Sequence, residues 1–196
     1  MLTTYNNPLS RSTRVLWLLE ELDADYTIKP VTIIRADRPE DGPDPHNPHP
    51  LKQVPCIKHD GEIVVESLAI WLYLSDLHPQ ANMAPPPGHP KRAEYMGWMG
   101  LNTCVFEPLA VAAMNGTPLS DRQTEARRWM DARFATALSR APYLLWEAFS
   151  AVDLVYASLL RFYPAALTPT AEIEDWVRRC VQRPAAARVR AKEGSG

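Results

Sequence analysis

The segment from Val54 to Ser67 limits the possible folds most, because it predicts a strand, a tight turn, a second strand and the start of a helix. Asp60-Gly61 suits the two central positions of a type I′ hairpin, where φ is positive. Pro55 has no N–H to donate to a ladder and is expected to start an edge strand. The main chain of Val54 would then be open to pairing with an extended peptide.

The end of this segment predicts a site for an anion. Glu66-Ser67 comes directly before the apolar run Leu68–Leu74, and Ser67 is suited to cap the helix that this run predicts. The free N–H groups and the positive end of the helix dipole suit a carboxylate. Ser67 as a cap alone is the simpler interpretation. It leaves the adjacent Val54-Pro55 edge unexplained, so the joint pattern favours a binding site.

A βαβ unit is predicted before the hairpin. Leu2–Tyr5 and Tyr26–Ile34 are predicted strands, and apolar residues recur at helical spacing between Ser12 and Leu22. A crossover of this length predicts parallel strands with a right-handed connection. Residues 36–50 contain five prolines, which allow at most a turn or two of helix and predict a mobile loop.

The second half of the chain is predicted to be helical. The proline-rich residues 79–90 are a linker by composition, which divides the chain into domains 1–78 and 91–196. Predicted helices after the linker are Lys91–Met114, Ser120–Arg140, Ser150–Phe162 and Thr170–Gln182. Ser150 and Asp153 form a capping-box pattern at the start of the third of these helices.

Composition excludes several classes of partner. The chain has 196 residues, and 46% of them are hydrophobic, which is enough for a core. Its 21 basic and 23 acidic side chains nearly balance, so no net positive electrostatic field is expected to attract nucleic acid or an anionic membrane. The three scattered cysteines favour a reducing compartment. With no secretion signal or membrane span in view, a cytoplasmic location is expected. His46 and His49 lack a companion ligand set, so no metal is expected.

Three motifs in order resemble the glutathione transferase superfamily. They are the opening 10–22, the segment of Lys52-Gln53-Val54-Pro55 with Glu66-Ser67-Leu68-Ala69-Ile70, and Pro142–Leu145 leading to Phe149–Asp153. The residues of the second motif resemble those of the zeta class, whereas the first motif is similar to bacterial and fungal transferases outside the zeta class. The resemblance implies a thioredoxin-like α/β N-terminal domain followed by an all-α C-terminal domain, and a homodimer.

The resemblance also implies a glutathione cradle. The Val54 main chain would pair with the cysteinyl unit, and Pro55 would be a cis proline that presents it. Ser67 would hold the γ-glutamyl carboxylate and Glu66 would lie near the γ-glutamyl amine. Gln53 is a candidate for the glycyl end. Glutathione is thus the expected co-substrate.

Ser10 is the expected sulfur-activating group, since it lies four residues before Arg14, where serine-type transferases keep their hydroxyl. A free thiol with a pKa of about 8.5 is mostly protonated at neutral pH, and a hydrogen-bond donor favours the nucleophilic thiolate. Ser12, Thr13 and Arg11 are alternatives. Ser10 could also serve only as an N-cap.

The partner of the thiolate would be a small hydrophobic electrophile. Plausible pocket residues on the first long helix are Tyr95, Met96, Met99, Asn102, Thr103 and Phe106, although such residues at helical spacing often belong to a core. Leu9-Ser10-Arg11 replaces the Ser-Ser-Cys opening of the zeta class, which argues against maleylacetoacetate isomerase activity. A non-catalytic protein that binds glutathione or a partner is the alternative. Thiol-disulfide reduction lacks a cysteine near Ser10.

Overall fold

The fold consists of two compact units. A computed structural model describes residues 1–36 and 38–194. One unit contains residues 1–81 together with the segment that begins at Pro184, and the other contains residues 82–183. Within the described ranges, no helix has both the length and the apolarity needed to cross a membrane.

A four-stranded mixed sheet organises the first unit. Its elements are β1 (Leu2–Asn6), α1 (Arg11–Glu21), β2 (Tyr26–Pro30), β3 (Cys56–His59), β4 (Glu62–Val65) and α2 (Ser67–Leu77). The strand order is β2-β1-β3-β4, with β1 and β2 parallel and the other pairs antiparallel. This is the predicted βαβ unit followed by the predicted hairpin and helix.

The hairpin forms as predicted, but the prediction that Pro55 starts an edge strand is wrong. Asp60 and Gly61 have φ angles of 50° and 100°, as a type I′ turn requires. Strand β3 pairs with β1 as well as with β4, so it is an inner strand. Pro55 is compatible with this position because it precedes the first paired residue, Cys56, so the strand pairing requires no N–H group from Pro55.

The last helix, α8 (Pro184–Lys192), packs on α1 in the first unit. The carboxylate of Glu20 accepts hydrogen bonds from Arg188, Lys192 and Tyr26. Burial opposes ionisation of Glu20, but these bonds outweigh it and lower its pKa to about 2. The first unit thus contains more than the predicted N-terminal domain 1–78, because a long-range ion-pair cluster attaches the segment that begins at Pro184 to α1.

The second unit is helical. Its helices are α3 (Arg92–Leu101), α4 (Glu107–Met114), α5 (Asp121–Leu138), α6 (Ala151–Leu160) and α7 (Ala171–Val181). The predicted helix 91–114 is interrupted by a π-helical segment, Asn102–Phe106. The capping box at Ser150 is present, since its N–H and hydroxyl both donate to the buried Asp153 carboxylate.

The predicted linker is an ordered part of this second unit. Met83 is buried and its carbonyl accepts a hydrogen bond of 2.8 Å from the Ala151 N–H. The Arg92 guanidinium donates to the Pro85 carbonyl at 2.8 Å. Proline composition alone therefore misjudged how closely residues 82–90 are tied to the helices.

Candidate functional site

Three connections of the first unit meet at one end of its sheet. Tyr5 pairs with Cys56, and Cys56 pairs with Val65. The loop that leaves β1, the chain that enters β3 and the chain that leaves β4 therefore lie side by side. These connections carry Ser10, Val54-Pro55 and Glu66-Ser67 respectively, so the register brings together the residues that the sequence predicted for the cradle.

The approach to β3 is fixed by a buried asparagine. The Val54–Pro55 peptide bond is cis, as the resemblance implies. The Asn47 side chain is fully buried, and its Nδ2 donates to the carbonyl of Gln53 at 2.9 Å. Its Oδ1 accepts from the His49 N–H at 3.0 Å. Residues 47–53 are therefore anchored, in contrast to the mobile loop predicted for residues 36–50.

Lys52 adopts a backbone conformation that glycine would adopt more easily. Its φ is 54°, in the left-handed region, which glycine occupies without the steric cost that a side chain brings. The Lys52 ammonium donates to the carbonyls of Asn47 at 2.7 Å and Pro45 at 3.2 Å. The side chain thus contributes contacts that a glycine would lack.

The start of α2 is open to an anion. Ser67 is the first helical residue and Glu66 occupies the cap position, so the prediction that Ser67 caps the helix is wrong. In the described part of the chain, neither the Ser67 hydroxyl nor the N–H groups of Leu68 and Ala69 have a hydrogen-bond partner. A carboxylate placed here would gain charge-assisted bonds and the favourable end of the helix dipole.

Glu66 stores backbone strain at the same place. Its φ of 70° and ψ of 125° lie outside the regions that non-glycine residues normally occupy. Such a conformation costs on the order of 1–3 kcal/mol and is concentrated at functional sites. The exposed Glu66 carboxylate lies beside the open helix start, where it can face an ammonium group.

The loop after β1 has its hydroxyl groups already engaged. Ser10 caps α1, and its Oγ accepts from the Ser12 N–H at 3.1 Å while donating to the Asn7 carbonyl at 2.6 Å. The Ser12 hydroxyl is fully buried, 2.6 Å from Asn6 Oδ1 and 2.9 Å from Ser10 Oγ. Ser10 is therefore a cap in this structure and can reach a ligand sulfur only by turning its proton away from Asn7.

The alternatives to Ser10 are placed differently. Thr13 Oγ1 donates to the Glu193 carboxylate at 2.9 and 3.0 Å, and Arg11 is exposed. The sequence interpretation missed Asn6, Asn47 and Glu193. Asn6 and Asn47 are carboxamides and Glu193 is a carboxylate, and ordinary polar composition explains the presence of all three equally well.

Cys56 lies in this region but is protected. It is fully buried in a cluster with Tyr5, Val31 and Val54. Burial raises the pKa of the Cys56 thiol to about 11, so the reactive thiolate is disfavoured. Cys56 therefore acts as a small apolar residue that packs in this cluster.

The six predicted pocket residues divide into two groups. Tyr95, Met99, Asn102 and Phe106 are buried, whereas Met96 and Thr103 are exposed. The Phe106 ring packs against Tyr156 with 4.8 Å between the ring centroids. Asn102 is notable because neither end of its buried amide has a hydrogen-bond partner in the described residues.

Known proteins share this architecture. Residues 1–76 match the family described as glutathione S-transferase, N-terminal domain. Over 85 residues the chain is 33% identical to a probable maleylacetoacetate isomerase 2 from Drosophila melanogaster, a stretch that covers 43% of this chain and 37% of that relative. The chain thus spans a little more than a third of this curated relative.

Solved structures extend the likeness to the second unit. A glutathione transferase from Methylococcus capsulatus is similar with a TM-score of 0.78, 20% identity and 99% of both chains covered. A sphingomonad glutathione S-transferase complexed with glutathione gives a TM-score of 0.77 at 23% identity, covering 99% of this chain and 100% of that one. Residues 1–76 thus match the N-terminal domain of the glutathione S-transferases, and the whole chain shares the fold of these solved structures, with a thioredoxin-like first unit and a helical second unit.

Proposed function

We propose that this protein is a glutathione transferase that binds glutathione in its first unit and adds the glutathione sulfur to small hydrophobic electrophiles. The observation that carries the proposal is the convergence of three connections at one sheet end, where the Ser67 hydroxyl and the first N–H groups of α2 lack partners among residues 1–36 and 38–194. Unpartnered donors beside a fixed strand entrance are the groups that an extended peptide with a carboxylate can satisfy.

Each part of glutathione has a proposed partner. The Val54 main chain pairs with the cysteinyl unit of glutathione. The segment anchored by Asn47 holds this main chain in a fixed position. Ser67 and the α2 N-terminus hold the γ-glutamyl carboxylate, and the Glu66 carboxylate faces the γ-glutamyl ammonium. Gln53, whose side chain is exposed, is the candidate for the glycyl end.

Ser10 supplies the chemical step. On binding, its hydroxyl turns from the Asn7 carbonyl to the glutathione sulfur and donates a hydrogen bond that stabilises the thiolate. The thiol proton is released to solvent, and the sulfur lone pair forms a C–S bond with the electrophilic carbon. For a halide substrate the leaving group departs as halide ion, and for an activated alkene the carbanion takes a proton from water.

The proposed contacts of the electrophile are the residues predicted on the first long helix. Met96 and Thr103 are the surface-accessible members of this set, and among the described residues neither end of the buried Asn102 amide has a hydrogen-bond partner. A cytoplasmic location and a homodimer belong to the same proposal.

The test combines binding and turnover. Calorimetry with glutathione should give saturable binding to the purified protein, and conjugation to chlorodinitrobenzene should be seen as a change in absorbance. Ser10→Ala should bind glutathione but lose most of the conjugation rate. Absence of binding to the unmodified protein would overturn the proposal.

Two other functions have one observation each. The relative from Drosophila melanogaster is named a probable maleylacetoacetate isomerase, which favours a glutathione-dependent isomerase. The bond from Ser10 to the Asn7 carbonyl, at 2.6 Å, favours a glutathione-binding protein without catalysis. Conversion of maleylacetoacetate to its trans isomer would support the first, and binding without any conjugation would support the second.

A further inference from the structure

The C-terminal end of the first unit contacts the loop that contains Ser10. Glu193 follows α8, and its carboxylate accepts hydrogen bonds from Thr13 Oγ1 at 2.9 and 3.0 Å and from Asn6 Nδ2 at 3.1 Å. Both donors are partly or fully buried. Glu193 therefore fixes which end of the Asn6 carboxamide points toward the loop, because an ionised carboxylate accepts only from the amide nitrogen.

The other end of Asn6 continues the network to Ser10. Asn6 Oδ1 accepts a hydrogen bond of 2.6 Å from the Ser12 hydroxyl, and the Ser12 oxygen accepts one of 3.1 Å from the Asn7 N–H. The Ser12 hydroxyl lies 2.9 Å from the Ser10 hydroxyl. Four side chains thus connect the C-terminal segment to the proposed sulfur ligand without a gap.

The network has a defined role when glutathione binds. Once the Ser10 proton turns to the sulfur, Ser10 Oγ still accepts from the Ser12 N–H at 3.1 Å. A hydroxyl that accepts a hydrogen bond is a stronger donor, so the Ser12 N–H strengthens the bond from Ser10 to the sulfur. The single proton of the Ser12 hydroxyl is donated to Asn6 Oδ1 at 2.6 Å, and this bond, with Asn6 held by Glu193, keeps Ser12 in place.

We propose that Glu193 is a positioning residue for the sulfur-activating hydroxyl, acting through Asn6 and Ser12. This inference rests on the proposed glutathione transferase function. It assigns a role in the reaction to a residue that follows the last helix, far from Ser10 in sequence.

Other charged groups near this loop do not take this role. Arg35 Nη1 donates to Asn7 Oδ1 at 3.2 Å and to the Pro8 carbonyl at 2.9 Å, so it supports the backbone of the loop. Lys192 and Arg188 both bond to Glu20, on a different part of α1. These contacts provide a matched control, since Arg188→Ala loosens the same helix without touching the hydroxyl network.

The test measures the thiolate of bound glutathione by its ultraviolet absorbance in the unmodified protein, Glu193→Gln and Arg188→Ala. Glu193→Gln should lower the thiolate-to-thiol ratio about threefold to tenfold, with the glutathione Kd within about twofold. Arg188→Ala should lower thermal stability and leave the ratio unchanged. Circular dichroism confirms that each variant is folded.

A double-mutant cycle separates positioning from packing. Ser12→Ala cuts the connection between Asn6 and Ser10 while leaving the Thr13–Glu193 bond, so adding Glu193→Gln to it should change the ratio no further. Additive effects, or equal losses in Glu193→Gln and Arg188→Ala, would overturn the inference. An unchanged ratio in Glu193→Gln with normal glutathione binding would overturn it alone, whereas no binding to the unmodified protein overturns the proposed function and this inference with it.

Discussion

The two sides of the proposed glutathione site differ in how their polar groups are used. At the start of α2, the Ser67 hydroxyl and the first helical N–H groups have no partner among the described residues. In the loop after β1, the hydroxyls of Ser10, Ser12 and Thr13 all have hydrogen-bond partners. One side is open to a ligand and the other must exchange partners to meet it.

The difference separates binding from activation. Groups without partners gain a hydrogen bond when the ligand arrives and lose nothing within the protein, so they contribute directly to affinity. A hydroxyl that already has an acceptor gains only the difference between its old and new bonds. We therefore expect variants at the two sides to differ in whether they change affinity, stability or reactivity.

Ser67→Ala should have the largest effect on affinity. Loss of a charge-assisted hydrogen bond to the γ-glutamyl carboxylate should weaken glutathione binding by about tenfold to a hundredfold. The free energy of unfolding should change by less than about 0.5 kcal/mol, since this hydroxyl has no partner in the described part of the protein. Calorimetry and chemical denaturation measure the two quantities, and Ser67→Thr is the control that keeps the hydroxyl. A large loss of stability in Ser67→Ala would show that the Ser67 hydroxyl has a partner within the protein.

Asn47→Ala should destabilise the protein by about 2 kcal/mol, because it leaves the part-buried Gln53 carbonyl and the buried His49 N–H without their partner. Glutathione affinity should fall with it, as the segment before β3 loses its anchor. Lys52→Met is the control, since it removes hydrogen bonds of the same loop from a more exposed position. Unchanged affinity in a folded Asn47→Ala protein would contradict the anchoring role.

Ser10→Ala should cost about 1 kcal/mol of stability by removing the cap of α1. Ser10→Asn should restore that stability, because asparagine is also a good cap, yet it lacks the hydroxyl needed at the sulfur. Denaturation curves and conjugation rates measured on both variants separate the two roles. Full conjugation activity in Ser10→Asn would assign the sulfur to another group, with Ser12 the nearest.

Glu66→Gly should have the smallest effect, a gain of up to about 1 kcal/mol in the free energy of unfolding, since glycine tolerates positive φ. Glutathione affinity should decrease at the same time through loss of the carboxylate. Glu66→Ala removes the same carboxylate but keeps the strain, so it should bind as weakly without the gain in stability. Equal stability of the two variants would show that the backbone conformation costs little.

Local features of the fold were predictable from the sequence. The Asp60-Gly61 turn, the βαβ unit and the capping box at Ser150 each depend on residues close together in the chain, whose conformational preferences are set by nearby atoms. The motif resemblance also assigned Val54-Pro55 and Glu66-Ser67 to one binding site, and the strand register places the two dipeptides at the same end of the sheet.

Features that depend on distant residues were not predictable in this way. The inner position of β3 follows from its pairing with β1, and no residue of the hairpin itself indicates that second neighbour. The anchoring by Asn47 and the bonds from Asn6 to Glu193 involve polar residues that resemble ordinary loop composition. The π-helical interruption at Asn102–Phe106 likewise lies inside a continuous helical pattern.

The packing of α8 on α1 has a consequence for how the protein folds during synthesis. Glu20 is buried, and its lowered pKa reflects hydrogen bonds from Arg188 and Lys192 as well as from Tyr26. An emerging chain that ends before these two residues lacks both cations and the helix that packs on α1, so the native contacts of Glu20 cannot form. The N-terminal unit therefore completes its native structure only when the last helix has left the ribosome, after the helical unit between them has been made.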